Sequence, residues 1–238
     1  MTTWKGLVHL QGSFIWLPCT ILFFAASTAL NTGLRKTPLI NPTLVTIAVI
    51  AVILIATGVP YKTYFEAVAV LHYLLGTAVV ALALPLYRNI RRLQGQCIRI
   101  GTALFAGSLA SILVGLWVAI LAHASASTVL SLAPKSATTA VSLEISRKIG
   151  GIPALTAALT ILTGIIGAVV GPYVLDFLRI RQAEARGLAM GVASHGIATA
   201  RAFTEGEVAG SFAGLGMVLN ALLTALLVPL LVRLIGYG

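Results

Sequence analysis

The chain has 238 residues, 58% of them hydrophobic and 9% charged, with a mean hydropathy of +1.01. Soluble domains carry roughly 25% charged residues, so this composition excludes an ordinary water-soluble fold and points to a bilayer. The formal net charge of +10 comes from basic residues lying between apolar runs, as the positive-inside rule requires; no basic face interleaves with aromatics, so no nucleic-acid partner is expected.

A helix crossing the hydrocarbon core needs about 20 apolar residues, and the chain offers eight such segments. Residues 14–34 form the first, a retained span rather than a cleaved signal, followed by Arg35 and Lys36. Residues 42–59 form the second, opened by Asn41 and Pro42, a capping residue and a first-turn proline. Tyr61, Tyr64 and Phe65 then read as an interfacial aromatic belt. The third, 68–87, closes on Arg88, Arg91, Arg92 and Arg99, and 100–121 is the fourth. Residues 127–149 make a poor lipid-facing fifth span, because Lys135, Glu144 and several hydroxyls lie within it. The sixth, 152–178, ends on Arg179, Arg181 and Arg186; a short seventh, 186–203, and an eighth, 208–235, follow. The fold expected is an all-α polytopic membrane protein, one transmembrane domain over 1–238 with two interrupted segments.

Orientation from the arginines is inconsistent. Placing the Arg88–Arg99 loop in the cytoplasm puts the N-terminus outside, yet three crossings then send Arg179–Arg186 outside as well. Either the rule fails there, or one segment enters and leaves by the same face, with 127–149 the natural suspect. A faint echo links 74–85 with 162–172, each a glycine-containing helix ending near proline before arginines, as transporter repeats do.

Two polar constellations stand out. In 131–146, Pro134 removes a backbone donor and disfavours helix at Ala133. Ser136, Thr138 and Thr139 can satisfy freed backbone groups or a ligand, Ser136 can cap a half-helix, and Lys135 adds a positive charge. Together they read as a small-anion site; the alternative is a snorkelling lysine among packing hydroxyls. Glu144 either pairs with Arg147 and Lys148 at an interface or carries a proton. The second constellation, 186–201, brings Ser194, His195, Thr199 and Arg201 within two helical turns, with Gly187, Gly191 and Gly196 weakening the helix. A break there centres on Ser194–Gly196. Arg201 alternatively caps the helix against Glu205 or Glu207.

Cys19 and Cys97 show no disulfide or metal-ligand pattern, and His9, His72 and His123 are isolated, so no metal and no cofactor are expected. No Ser-His-Asp arrangement, phosphate-cradling loop or zinc spacing occurs, and an enzyme is not expected.

Residues 133–139 (Ala-Pro-Lys-Ser-Ala-Thr-Thr) and 193–201 (Ala-Ser-His-Gly-Ile-Ala-Thr-Ala-Arg) resemble the LrgB/CidB family of bacterial membrane proteins. Asn41-Pro42, residues 80–87, Glu144-Ile-Ser and 150–153 (Gly-Gly-Ile-Pro) extend the resemblance over most of the chain. Ala140 and Ala198 depart from the family's proline and glycine and favour helix locally. The resemblance implies one of two functions. Antiholin-like modulation of murein hydrolase export and cell lysis, with a small LrgA/CidA-like membrane partner, is one. The other, which the two polar constellations favour and which is the function expected here, is proton-coupled, alternating-access transport of small monocarboxylates such as glycolate, glycerate, lactate or pyruvate, since a plastid glycolate/glycerate translocator belongs to the family. It also implies a bile-acid-symporter-like fold in which two broken helices cross at the midplane. A bacterial cytoplasmic (inner) membrane is the expected location, ahead of a plastid envelope. On the transport reading, Lys135 or Arg201 pairs with the substrate carboxylate, and Ser136, Thr138, Thr139, Ser194, His195 and Thr199 complete the site. Asn41, Glu144 and Glu205 are coupling or structural candidates. A holin-like protein instead needs small-residue seams, for which Gly164, Gly167, Gly171, Gly210 and Gly214 are available. A homodimer or higher homo-oligomer is expected on either reading.

Overall fold

A computed structural model describes residues 3–33, 42–81 and 83–237. Asn41, Arg35 and Lys36 lie outside the described residues, as do the side chains of His9 and His72. All elements among the described residues are helices, in two compact units, Met1–Ala81 and Leu82–Gly238.

The first unit holds α1 (Thr3–Gly33), α2 (Pro42–Thr57), α3 (Tyr61–Ala67) and α4 (Ala69–Ala81). Buried Thr46 of α2 donates to Ser27 of α1 at 3.3 Å, a polar joint between otherwise apolar helices. Tyr64 stands edge-on to Trp16 at 5.6 Å and lies 3.2 Å from the Thr20 hydroxyl. Tyr61 and Phe65 stack beside it at 5.9 Å.

The second unit holds α5 (Ala83–Arg88), α6 (Ile90–Gln94), α7 (Cys97–Leu121), α8 (Ala126–Leu132), α9 (Thr139–Ile149), α10 (Pro153–Phe177), α11 (Ala183–Glu205) and α12 (Glu207–Leu234). Among the described residues four helical stretches are long and apolar enough to cross a membrane: Ile15–Gly33, Cys97–Leu121, Pro153–Phe177 and Glu207–Leu234, with Pro42–Thr57 a shorter apolar helix. The other expected segments are shorter or less apolar helices. Residues 127–149 and 186–203 are each interrupted.

The long helices of this unit are apolar outside, and inside they bury small and polar residues beside apolar ones such as Ile112, Leu116, Phe212 and Val228. Along α12, Val218, Leu222, Leu226, Leu230 and Leu234 are exposed every fourth residue, whereas Asn220 and Thr224 are wholly buried. Thr156, Thr160, Gly164 and Ala168 form the buried stripe of α10, with Leu162, Ile166 and Val170 facing out. Lipid is as apolar as leucine, so burying leucine gains little there, and helices associate through small residues and hydrogen bonds instead.

Both interrupted segments fold back on themselves. Ser142 Oγ donates to the Pro134 carbonyl at 2.7 Å, and the Ile152 amide donates to Ser131 Oγ at 2.8 Å. Thr156 Oγ1 donates to Ser146 Oγ at 2.7 Å and to the Ser131 carbonyl at 3.0 Å. Thus α8 and α9 run antiparallel around a tip at 133–138. In α11, Arg186 grips Glu205 through Nε at 2.8 Å and Nη2 at 3.2 Å. Nineteen residues of straight helix would separate the two by about 28 Å, so α11 also reverses, at Ser194 (φ −145, ψ 24) and His195 (φ 43, ψ −135). Its first half (183–193) runs parallel to the start of α12, so tightly that a β-carbon on Gly187 or Gly191 would collide with the carbonyl of Ala209 or Ala213.

The order is therefore span, hairpin, span, hairpin. The spans α7 and α10 each have 25 residues; Pro153 follows Cys97 by 56 residues, and Ala183 follows Ala126 by 57. Each hairpin enters from the end where its span finishes, and successive spans run in opposite directions, which makes the two copies inverted. This repeat differs from the echo expected between 74–85 and 162–172. Because the first hairpin folds back on itself, α7 and α10 bring both arginine loops to one end: Arg88 lies 3.8 Å from Glu207, and Arg181 and Arg186 pair with Asp176 at 3.6 and 2.8 Å.

Candidate functional site

The two hairpin tips meet the long helices near their middles. At the first tip, Lys135 runs across Gly115 of α7, where a β-carbon would stand 3.0 Å from Nζ, and donates to the Ser111 carbonyl at 2.8 Å. Asn220 of α12 donates through Nδ2 to the Ser136 carbonyl at 2.9 Å and accepts from Ser108 Oγ of α7 at 2.5 Å. One buried amide thus ties tip, α7 and α12 together. Thr138 starts α9 in an extended conformation without a side-chain cap, and the Ser136 hydroxyl, 1% exposed, has no protein partner.

At the second tip, His195 Nε2 lies 2.9 Å from the Thr160 carbonyl of α10, and Thr199 Oγ1 donates to the His195 carbonyl at 2.7 Å. The tip sits against glycines: a β-carbon at Gly164 would stand 2.7 Å from His195 Cε1, and one at Gly167 would strike Ser194. His195 is a non-glycine residue at positive φ, a strained conformation that its neighbours enforce. Gly196 faces Met217 of α12, less than one turn from Asn220, and Thr156 and Thr160, one turn apart on α10, serve the first and second hairpins respectively. The tips therefore share one level of the unit.

Not every expected site residue joins this level. Lys135 and Ser136 do, while Thr138 and Thr139 are half-buried at the start of α9. Ser194, His195 and Thr199 are buried, the latter two engaged with backbone. Arg201 lies six residues down the second leg and donates to Thr204. Glu205 pairs with Arg186, and Glu207 approaches Arg88, so neither caps against Arg201. Glu144 is exposed and bonded to Arg147 at 2.6 Å. It lines an open cavity of about 390 Å³ between α9 and α12, with Ala140, Lys148 and Pro229. Sequence reasoning missed Ser108, Ser111, Asn220 and Thr224. A lone asparagine in a 28-residue apolar helix was itself a signal, because a polar side chain in a span needs a partner.

These features define a helical integral-membrane protein with an inverted pair of span-and-hairpin repeats. By sequence, residues 20–234 match the LrgB-like family, and the chain belongs to that family. A Haemophilus influenzae protein called only uncharacterised is 35% identical over 85% of this chain and 88% of its own. The uncharacterised protein YwbG of Bacillus subtilis is 36% identical over 72% of this chain and 76% of its own. The holin-like protein CidB of Staphylococcus epidermidis is 30% identical over 86% and 88%. No solved structure matches this chain.

Proposed function

We propose that this chain acts in the bacterial cytoplasmic membrane as a holin-like protein, modulating murein hydrolase export and cell lysis. The observation that carries this is the similarity, over most of both chains, to proteins named holin-like protein CidB. A small LrgA/CidA-like membrane partner and a homo-oligomeric assembly belong to the same reading. Deleting the gene in its host should change both the rate of detergent-induced autolysis and the murein hydrolase activity outside the cell. Unchanged autolysis and unchanged extracellular hydrolase would remove this reading.

A second reading, secondary transport of small monocarboxylates by alternating access, is favoured by the two opposed hairpins. Inverted repeats with interrupted helices place transporter sites near the midplane, and both tips lie midway along the long helices. Gly164, Gly167 and Gly210 are also occupied internally, by His195, Ser194 and Phe203, which leaves fewer small-residue seams for oligomer contacts. His195 is the titratable group at the second tip on which proton coupling would rest. Proteoliposomes holding the purified protein should import labelled glycolate, lactate or pyruvate, and Lys135→Ala should abolish uptake. Import of none of the three, with or without the small partner, rules transport out.

A further inference from the structure

We propose that the groove between α9 and α12 seats one acyl chain of an anionic phospholipid, whose headgroup phosphate pairs with Lys148 at the groove mouth. This goes beyond both functional readings and depends on neither.

The groove has the length and direction of a lipid chain. Ala140, Glu144 and Lys148, successive turns of α9, form one wall, and Ala225 and Pro229, one turn apart on α12, form the other. α9 leaves the first tip at Thr139 and ends at Ile149, next to the turn into Pro153 where the α10 span begins. Ala140 therefore lies near the middle of the long helices and Lys148 near their ends. Pro229, five residues before the end of α12 at Leu234, agrees with that direction. Eight helical residues cover about 12 Å, close to the roughly 15 Å of hydrocarbon in one leaflet.

Size and surface select a chain over a protein partner. Ala140 and Ala225 are exposed small residues, whereas Leu222, Leu226 and Leu230 stand out from α12 beside them. The cavity is thus a depression in a leucine-rich surface, open and of about 390 Å³. A 12 Å length of helix about 10 Å across fills roughly 900 Å³, more than the groove holds. Left empty, the walls forfeit dispersion contacts, and water finds few bonding partners among alanine, valine and proline. A single hydrocarbon chain restores those contacts without burying a polar group.

Charge at the mouth selects the headgroup. Glu144 is the acid on the walls, and Arg147 holds it at 2.6 Å. Among the described residues the ion pairs join other cations, Lys62, Arg88, Arg147, Arg181 and Arg186, so Lys148 has no acidic partner. Neither has Arg233, which is exposed one turn beyond Pro229 on the same face of α12. Basic side chains at headgroup depth between helices recognise lipid phosphates. Their uncompensated charge favours an anionic lipid over a zwitterionic one, and the apolar groove favours a chain-bearing phosphate over a free one.

The test uses the full chain in non-ionic detergent micelles with phosphatidylglycerol carrying a photoactivatable diazirine on its acyl chain. Phosphatidylcholine carrying the same group is the comparison, and adducts are mapped by peptide mass spectrometry. Phosphatidylglycerol should label 140–148 and 225–229 saturably, about tenfold more than phosphatidylcholine does. Lys148→Gln should lower that labelling about fivefold, and adding Arg233→Gln should bring it to the phosphatidylcholine level. Ala225→Phe, which fills the groove, should remove labelling by both lipids with unchanged lipid-free melting. Arg181→Gln, at the opposite end of the unit, should label as wild type. The proposal is overturned if phosphatidylglycerol labels neither segment, if the two lipids label equally, or if Lys148→Gln and Ala225→Phe both label like wild type. Absent labelling with a dimer that Ala225→Phe dissociates would overturn it in favour of a second copy in the groove.

Discussion

At the scale of single residues, Asn220 organises the second unit. Its side chain meets Ser108 of α7 and the Ser136 backbone, so removing it orphans a hydroxyl and a carbonyl in a dry interior. Leaving buried groups unsatisfied costs about 1–3 kcal/mol each. Asn220→Ala should therefore destabilise the protein by about 2 kcal/mol, read from reversible unfolding in mixed micelles, while Ser108→Ala costs less because the amide retains its bond to Ser136. Equal stability of Asn220→Ala and wild type would mean the amide does not hold the tip. The polar cluster was legible in the sequence through Pro134, Lys135, Ser136, Ser194 and His195, because each is expensive in lipid. Which of them keeps spare bonding capacity was not. His195 spends its Nε2 contact on a carbonyl 35 residues away, whereas Ser136 spends nothing, and sequence spacing does not separate the two cases.

At the scale of elements, the hairpin within α11 depends on its base. Arg186 holds Glu205 with two bonds and Asp176 with a third at 2.8 Å, and only 12% of its side chain is exposed. Breaking a largely buried pair strands a charge and costs about 3 kcal/mol. Arg186→Gln should open this base, seen as faster protease cleavage after Arg181. The exchange Arg186→Glu with Glu205→Arg should restore part of the protection. Protection unchanged in Arg186→Gln would show that packing of Gly187 and Gly191 on α12 suffices to close the hairpin. Glycines at 187 and 191 read in the sequence as weakened helix; in the fold they give α12 its close approach. The reversal itself needed His195 to adopt positive φ, which residue type alone would have argued against.

At the scale of the molecule, the inverted repeat accounts for the charge pattern. With 126–149 folded back on itself, Arg91 and Arg181 fall at one end of the second unit and His123 at the other. In a background with Cys19 and Cys97 replaced by serine, Arg91→Cys and Arg181→Cys should react with an impermeant maleimide only in inside-out vesicles. His123→Cys should react in intact cells. Opposite labelling of Arg91→Cys and Arg181→Cys would remove the inverted arrangement, whichever face is cytoplasmic.

The sequence by itself determined the solvent, the helical class and the family, because hydropathy, charge spacing and short motifs are local quantities that survive without coordinates. It also located both interruptions, since a proline beside a lysine and a histidine beside glycines are costly in a continuous span. Only the tertiary structure decided that these interruptions reverse the chain rather than bend it. A kink and a hairpin share the same local sequence; they differ in whether Arg186 meets Glu205 and Ser131 meets Ile152, contacts that exist only once the chain has folded. The fold also separates the two candidate cations: Arg201 lies down a hairpin leg beside Thr204 with its Nε buried and unpartnered, and Lys135 lies at the first tip against the Ser111 carbonyl.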